Sequence, residues 1–301
     1  MTTPHSVSII IPCFERTDEL ERLLNSLKNL DFGEPYEVLV VDDGSKEPIK
    51  IKDCIRLEKN AGPARARNIG VAKSDGKLLW FLDSDVEITD PSLLTRMVKI
   101  LEQDESLAGV GGEMIEVRGK PYSLVPYHFP NWLSFSKYIS GPFAAYPKCI
   151  ATNNLLIRKK DFVGFSEEFE TMEDNDLCLR MRGKFLIRND TCVLHHHSAT
   201  GRNEGEFAFY NNPGDYINTV HQNRIKILYR NKKYLIPVLP LIDIIFAPPT
   251  LLCQMFSQKS SNIILEEKSK IRIGWTYFIL LHIKSIIYAW KKGYELLAHS
   301  N

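Results

Sequence analysis

Lys77-Leu78-Leu79-Trp80-Phe81-Leu82-Asp83-Ser84-Asp85-Val86-Glu87 opens as an apolar run and closes on two carboxylates with one residue between them. A short continuous apolar run is the pattern of a strand buried on both faces, as in the middle of a parallel sheet. Charge is costly inside such a strand, so Asp83 and Asp85 are expected at its carboxyl end. In open α/β sheets that edge is where ligands bind. Residues two apart on a strand point the same way, so both carboxylates are placed to meet one cation. Asp-x-Asp also serves simply to open a turn, and the stretch alone does not separate the two readings.

Working outward, Ser6-Val7-Ser8-Ile9-Ile10-Ile11-Pro12 reads as another buried strand. Thr17 is expected to cap a helix in which Leu20, Leu23, Leu24 and Leu27 recur at helical spacing. A second strand, Glu37-Val38-Leu39-Val40-Val41, ends in the turn-forming cluster Asp42-Asp43-Gly44-Ser45. Strand, helix, strand with both strands apolar throughout is a βαβ unit, hence parallel pairing. Cys54-Ile55-Arg56-Leu57-Glu58 reads as a short third strand. Asn60-Ala61-Gly62-Pro63 leads into a helix carrying Arg65, Arg67 and Asn68. Asp90-Pro91 is expected to start the next helix, cap then first-turn proline.

Further on, Gly109-Val110-Gly111-Gly112-Glu113-Met114-Ile115 reads as one strand. Residues 121–147, rich in proline and aromatics, are expected to form a long functional loop, a lid or a substrate-binding segment. Ala151-Thr152-Asn153-Asn154-Leu155-Leu156-Ile157 restores a strand pattern. Residues 171–180 read as a helix behind an acidic start. Acids in a first helical turn are favoured by the helix dipole, which is the structural alternative to catalysis for Glu173, Asp174 and Asp176. Thr191-Cys192-Val193-Leu194 is strand-like and closes on His195-His196-His197, of which at most two share a face.

The chain has 301 residues, room for one large α/β domain and an appendage. Its 38 Lys+Arg balance 37 Asp+Glu, so nothing in the overall charge points to nucleic acid, and no nucleic-acid partner is expected. Six cysteines without a CxxC pair fit reduced thiols in a cytosolic compartment. No signal peptide precedes the first strand pattern, so any catalytic part is expected to face the cytoplasm. The last third differs. Arg224, Lys226, Arg230, Lys232 and Lys233 precede an apolar stretch, 234–256, interrupted by Asp243 and four prolines, and a second stretch covers 273–290. These are expected to lie on an anionic membrane surface as interfacial or re-entrant helices. An ordinary helical subdomain is the alternative. The expected division is a catalytic domain over 1–225 and a basic, apolar helical extension over 226–301.

Six motifs then occur in an order that resembles glycosyltransferase family 2. They are Ile10-Ile11-Pro12-Cys13-Phe14-Glu15-Arg16, Val40-Val41-Asp42-Asp43-Gly44-Ser45, the Asn60 to Gly70 segment, Phe81-Leu82-Asp83-Ser84-Asp85, Glu173-Asp174-Asn175-Asp176-Leu177 and His195. The likeness spans roughly the first 200 residues. One departure is Glu15, where the family usually has Asn. The resemblance implies a GT-A fold, a Rossmann-like mixed α/β sheet flanked by helices, and an inverting transferase moving a sugar from a nucleotide-diphosphate sugar. The acceptor would be a hydroxyl of a saccharide or lipid-linked glycan, met at the cytoplasmic membrane face or, alternatively, in the cytoplasm.

The same resemblance implies roles for individual residues. Asp85 and His195 are expected to hold Mn²⁺ or Mg²⁺, with Asp83 on the ribose or the metal's water shell. Hard oxygen donors suit both ions, and an imidazole among them favours Mn²⁺. Pro12 and Phe14 line the base slot, and Asp42 or Asp43 accepts from the base. Arg67 is expected to hold the diphosphate, a geometry that guanidinium fits. Asp174 is the expected general base, with Glu173, Asp176 and Asn154 orienting the acceptor. A nucleotidyltransferase usually shows a glycine-rich phosphate loop after its first strand, absent from Pro12-Cys13-Phe14-Glu15-Arg16. A non-catalytic sugar-nucleotide-binding partner is the other reading. Retention of Asp83, Asp85, Asp174 and His195 together counts against it.

Overall fold

Strand and helix alternate from the first residues of the computed structural model, which describes 6–117, 119–128, 134–169, 172–196 and 287. β1 (Val7–Cys13), α1 (Thr17–Leu27), β2 (Tyr36–Asp42), β3 (Ile55–Arg56) and α2 (Pro63–Lys73) come first. β4 (Leu78–Leu82), β5 (Val86–Glu87), α3 (Leu93–Gln103), β6 (Leu107–Gly111) and β7 (Glu113–Val117) follow. Then come β8 (Lys120–His128), β9 (Ser134–Ile139), β10 (Ala144–Ala145), β11 (Asn154–Arg158), α4 (Glu173–Arg180), β12 (Lys184–Arg188) and β13 (Val193–His195).

Eight strands form one sheet in the order β10-β12-β6-β11-β4-β1-β2-β3. The expected parallel unit is present: β1 pairs in parallel with β2 and β4, and β2 with β3. β11 runs antiparallel between β4 and β6, so the sheet is mixed. Alternate residues feed two cores. Val7, Ile9, Ile11, Trp80 and Leu82 pack with Leu20 and Leu23 of α1 and Leu94 and Met97 of α3. Ile10, Leu79, Phe81 and Leu155 face the other way, with Ala64 of α2 and Leu177 of α4. Helices thus cover both faces, which is why the strands read as unbroken apolar runs. After β3 the chain crosses back past β1 to enter β4, so the edge beyond β1 and β4 is a topological switch point.

A second sheet, in the order β5-β13-β7-β8-β9, corrects two expectations. The stretch from Gly109 to Ile115 is two strands, broken at Gly112 with φ 122°. Only glycine adopts that backbone readily, and the break sends the chain from the first sheet to the second. Residues 121–147 are not a long loop. β8 pairs antiparallel with β7 as a hairpin, and its Ser123 and Val125 are buried on one face. Aromatic residues favour strands, and Pro121 sits near the strand's start, where proline is tolerated.

Two helix starts also differ. Thr17 is the first residue of α1 rather than its cap. Asp90 Oδ1 accepts from the Ser92 N–H and hydroxyl at 2.9 and 2.8 Å, and this turn delays α3 to Leu93.

By its contacts the chain divides into two units, Met1–Tyr127 with Lys137–Arg202, and His128–Ser136 with Asn203–Asn301. The expected boundary at 225 and the apolar stretches at 234–256 and 273–290 lie outside the described residues, Ile287 excepted. Among the described residues no helix is long and apolar enough to cross a membrane.

Gly112→Ala tests the break between the sheets. An added Cβ would lie 2.6 Å from Ile187 Cγ2 and 3.1 Å from Cys192 Sγ. The variant should lose about 2–6 kcal/mol, roughly 1–3 from backbone strain and 1–3 from crowding. A denaturant midpoint equal to that of the parent would refute this reading.

Candidate active site

The motifs converge at the switch-point edge. At the end of β2, Asp42 is fully buried and ion-paired with Arg56, and accepts the backbone N–H groups of Ser45 (2.9 Å) and Ile49 (3.3 Å). Burial alone would raise its pKa; these donors and the guanidinium outweigh it and lower it. Asp43 accepts from the N–H groups of Ala61 (2.7 Å) and Gly62 (2.8 Å), pinning the loop that enters α2. Pro12 and Phe14 stand half-buried at the end of β1 and just beyond it.

Glu15 has φ 55°, a conformation that Asn adopts far more easily than Glu. This gives a backbone reason for Asn at that position. Here the turn is held instead by Glu15 Oε1 accepting the Lys46 N–H at 2.7 Å and by Glu15 N–H donating to Ser45 Oγ at 3.1 Å.

Asp83 and Asp85 do not share one direction. β4 ends at Leu82 and the chain turns through Ser84, so strand alternation no longer applies. Asp83 Oδ1 accepts from Arg67 Nη2 at 2.6 Å, and Arg67 Nη1 donates to Glu173 Oε1 at 2.8 Å. Arg67 is only 3% exposed and also lies 5.5 Å from the Phe165 ring centre. Its guanidinium ties the Asp-x-Asp turn to the first residue of α4.

Next in the chain, Asp174 is half-buried beside that tie. Burial and then the charge of Glu173 push its carboxyl up to about 7, against the pull of Arg67. Met172, just before α4, has φ 67°, a strained entry of the kind that clusters at functional sites. Asp176 faces away into the fold, accepting from Ser166 Oγ (2.6 Å) and Arg180 Nε (2.8 Å).

Asp85 turns the other way. Its Oδ2 pairs with Arg16 Nη1 at 2.6 Å, and His195 Nε2 lies 3.4 Å from Oδ1. Burial would raise the Asp85 pKa; His195 and Arg16 hold it down at about 2. On the far side of the ring, His195 Nδ1 lies 2.6 Å from Glu113 Oε2. Burial disfavours the imidazolium, but Glu113 and Asp85 overcome this and raise its pKa well above the usual value.

The Asn153 amide donates to Glu113 and sits 3.2 Å from His195 Nδ1. Its neighbour Asn154 points into the sheet, accepting from Trp80 Nε1 and donating to the carbonyls of Gly112 and Thr191. His196 pairs with Glu87 at 2.7 Å, and His197 lies outside the described residues. Arg16, Glu113 and Asn153 are site residues that in the sequence stand only as members of a motif or a strand pattern. The one signal for Glu113 was a carboxylate standing alone in an apolar run.

Asp85 Oδ1 is buried without a hydrogen bond, and faces an imidazole nitrogen. An oxygen and nitrogen donor pair of this kind fits Mn²⁺ or Mg²⁺. Among the described residues no three His, Cys, Asp or Glu side chains form a complete metal cage. The remaining positions of such an ion would fall to a ligand.

The model for Glycosyl transferase family 2 matches residues 8–162, half of the chain, and the chain belongs to that family. Among named relatives, the poly(ribitol-phosphate) β-N-acetylglucosaminyltransferase TarS of Staphylococcus aureus is 28% identical over 238 residues, 73% of this chain and 40% of TarS. The GalNAc(5)-diNAcBac-PP-undecaprenol β-1,3-glucosyltransferase of Campylobacter jejuni is 28% identical over 179 residues, 54% of this chain and 55% of that protein. The mannosyltransferase PcManGT of Pyrobaculum calidifontis, solved with GDP-Man and Mn²⁺, superposes with a TM-score of 0.53 at 13% identity. That match covers 97% of this chain and 88% of PcManGT, and it shows the shared GT-A fold. The chain spans between 30% and 61% of the length of the first curated relatives it matches.

Arg67→Met should leave Asp83 and Glu173 facing each other without a counter-charge. Removing one partner of a buried pair costs about 3–5 kcal/mol. Urea unfolding checks this, and a midpoint equal to the parent's would refute the pairing.

Proposed function

We propose that the chain transfers a sugar, with inversion, from a nucleotide-diphosphate sugar to a hydroxyl of a saccharide or lipid-linked acceptor. The observation that carries this reading is the Asp83–Arg67–Glu173 bridge. It sets the Asp-x-Asp turn beside Asp174, a carboxyl poised near neutral pH. Donor and acceptor chemistry need both parts within one sugar's reach.

Asp174 takes the proton of the acceptor hydroxyl as that oxygen bonds to the anomeric carbon. The bond from the same carbon to the diphosphate oxygen breaks, and its electrons leave with the diphosphate. One displacement inverts the centre. Asp85 and His195 would hold a divalent cation, which when bound supplies positive charge to the departing diphosphate. Pro12, Phe14 and Asp43 are proposed to meet the base, with Asp42 as a buried joint behind them and Asn154 as a buried joint at the Gly112 junction. Arg67 is assigned the tie between Asp83 and Glu173, since both its terminal nitrogens are committed there. Arg16, on Asp85 and nearer solvent, is assigned the diphosphate.

The Mn²⁺ of the Pyrobaculum protein and the undecaprenol-linked acceptor named for the Campylobacter enzyme both support this assignment. The lipid-linked acceptor also supports work at a membrane surface, which we assign to its cytoplasmic face.

Two experiments test the reading on a panel of nucleotide sugars. Asp174→Asn should lower kcat by about 10²–10⁴ with donor binding near normal. The parent's rate should rise with pH through about 7, where Asp174 loses its proton, and level off above it. A matching loss of donor affinity in the variant would reassign Asp174. Separately, Asp85→Ala should abolish Mn²⁺-dependent transfer while thermal unfolding remains cooperative, and undiminished turnover would remove Asp85 from the site.

A further inference from the structure

β5, β13 and β7 are neighbours in the second sheet, and each brings one side chain to the same line. Asp85 immediately precedes β5. His195 pairs with Val86 of β5, and Val193, two residues earlier on the same face of β13, pairs with Glu113 of β7. The result is a row in which Asp85 Oδ1 lies 3.4 Å from His195 Nε2, and His195 Nδ1 lies 2.6 Å from Glu113 Oε2. Glu113 is itself held by the Asn153 amide and has a side chain only 13% exposed.

We propose that Glu113 is a positioning residue that fixes the ring and tautomer of His195 for a divalent cation shared with Asp85. This rests on the metal reading given above. An imidazole offers a metal only one lone pair, and which nitrogen carries it is decided by the hydrogen bond at the other. With Nδ1–H donating to Glu113, the lone pair sits on Nε2, the nitrogen facing Asp85. A ligating histidine backed by a carboxylate binds metal more tightly, because the ring is fixed and made more basic. Asn153 braces the carboxylate in turn. The hinge at Gly112 carries Glu113 out of the first sheet and places it behind the ring.

The test uses the full chain and its Glu113→Ala and Glu113→Gln variants. Mn²⁺ binding is read by electron paramagnetic resonance in the presence of UDP or GDP. The His195 tautomer is read by ¹⁵N NMR at a pH where the ring is neutral. Glu113→Ala should bind Mn²⁺ about 10–100-fold more weakly and lose the single Nδ1–H tautomer. Glu113→Gln, which keeps an acceptor oxygen, should retain that tautomer with a smaller loss. Its KM for Mn²⁺ should rise while kcat at saturating Mn²⁺ stays near the parent's.

If Glu113→Ala does not fold, the Gln variant's split between KM and kcat decides. Unchanged Mn²⁺ affinity and tautomer in the variants would overturn the proposal. A parent that binds no Mn²⁺ with either nucleotide would overturn the metal reading instead, and the NMR tautomer would still show whether Glu113 orients the ring.

Discussion

A single buried guanidinium holds the two halves of the site together. Arg67 belongs to α2, and its two terminal nitrogens reach Asp83 after β4 and Glu173 at the start of α4. Both contacts are short and the guanidinium itself is buried, so removing it would leave the two carboxylates without their counter-charge. The tie joins points that are far apart in sequence, Asp83 and Glu173. It also places two ionised carboxylates near Asp174, and this crowding, with burial, keeps that group's proton affinity high. A stabilising contact and a tuned proton acceptor therefore come from the same three side chains.

The two sheets divide the remaining work. The eight-stranded sheet supplies the loops after β1 and β2 and the turn after β4. The smaller sheet supplies His195 and Glu113. Gly112 joins them, since its backbone bends where any other residue would be strained. Asn154 locks the same junction from the side, with its side chain's three hydrogen bonds spent on Trp80, Gly112 and Thr191. Buried polar groups so fully satisfied specify one arrangement of the chain around them.

Much of the first ninety residues was legible from apolar runs, because a sheet covered on both faces demands them. The second sheet was not. Its prolines and aromatics read as loop, and its strands, short or partly exposed, lack a long apolar signal. The site divided along the same line. The carboxylates at strand ends followed from the cost of burying charge, whereas the pairing of Asp85 with His195, over a hundred residues apart, came only from family resemblance. Asn153 and Asn154 show the limit most sharply. They are adjacent, so on a strand edge they face opposite ways, and a one-residue error in register exchanges the site residue for the core residue. The Arg67 tie was hidden for a different reason. A guanidinium suits phosphate and carboxylate equally, and the sequence holds no signal for which it meets.

Trp80 carries one more consequence. Its indole is fully buried in β4, three residues before Asp83, and its N–H is bonded to Asn154 Oδ1. A rigid indole in an asymmetric apolar setting gives a sharp near-ultraviolet dichroism band, which vanishes when packing loosens even if secondary structure persists. The strand that delivers the Asp-x-Asp turn thus has its own chromophore. Loss of order at the heart of the sheet can be seen optically, apart from any loss of turnover.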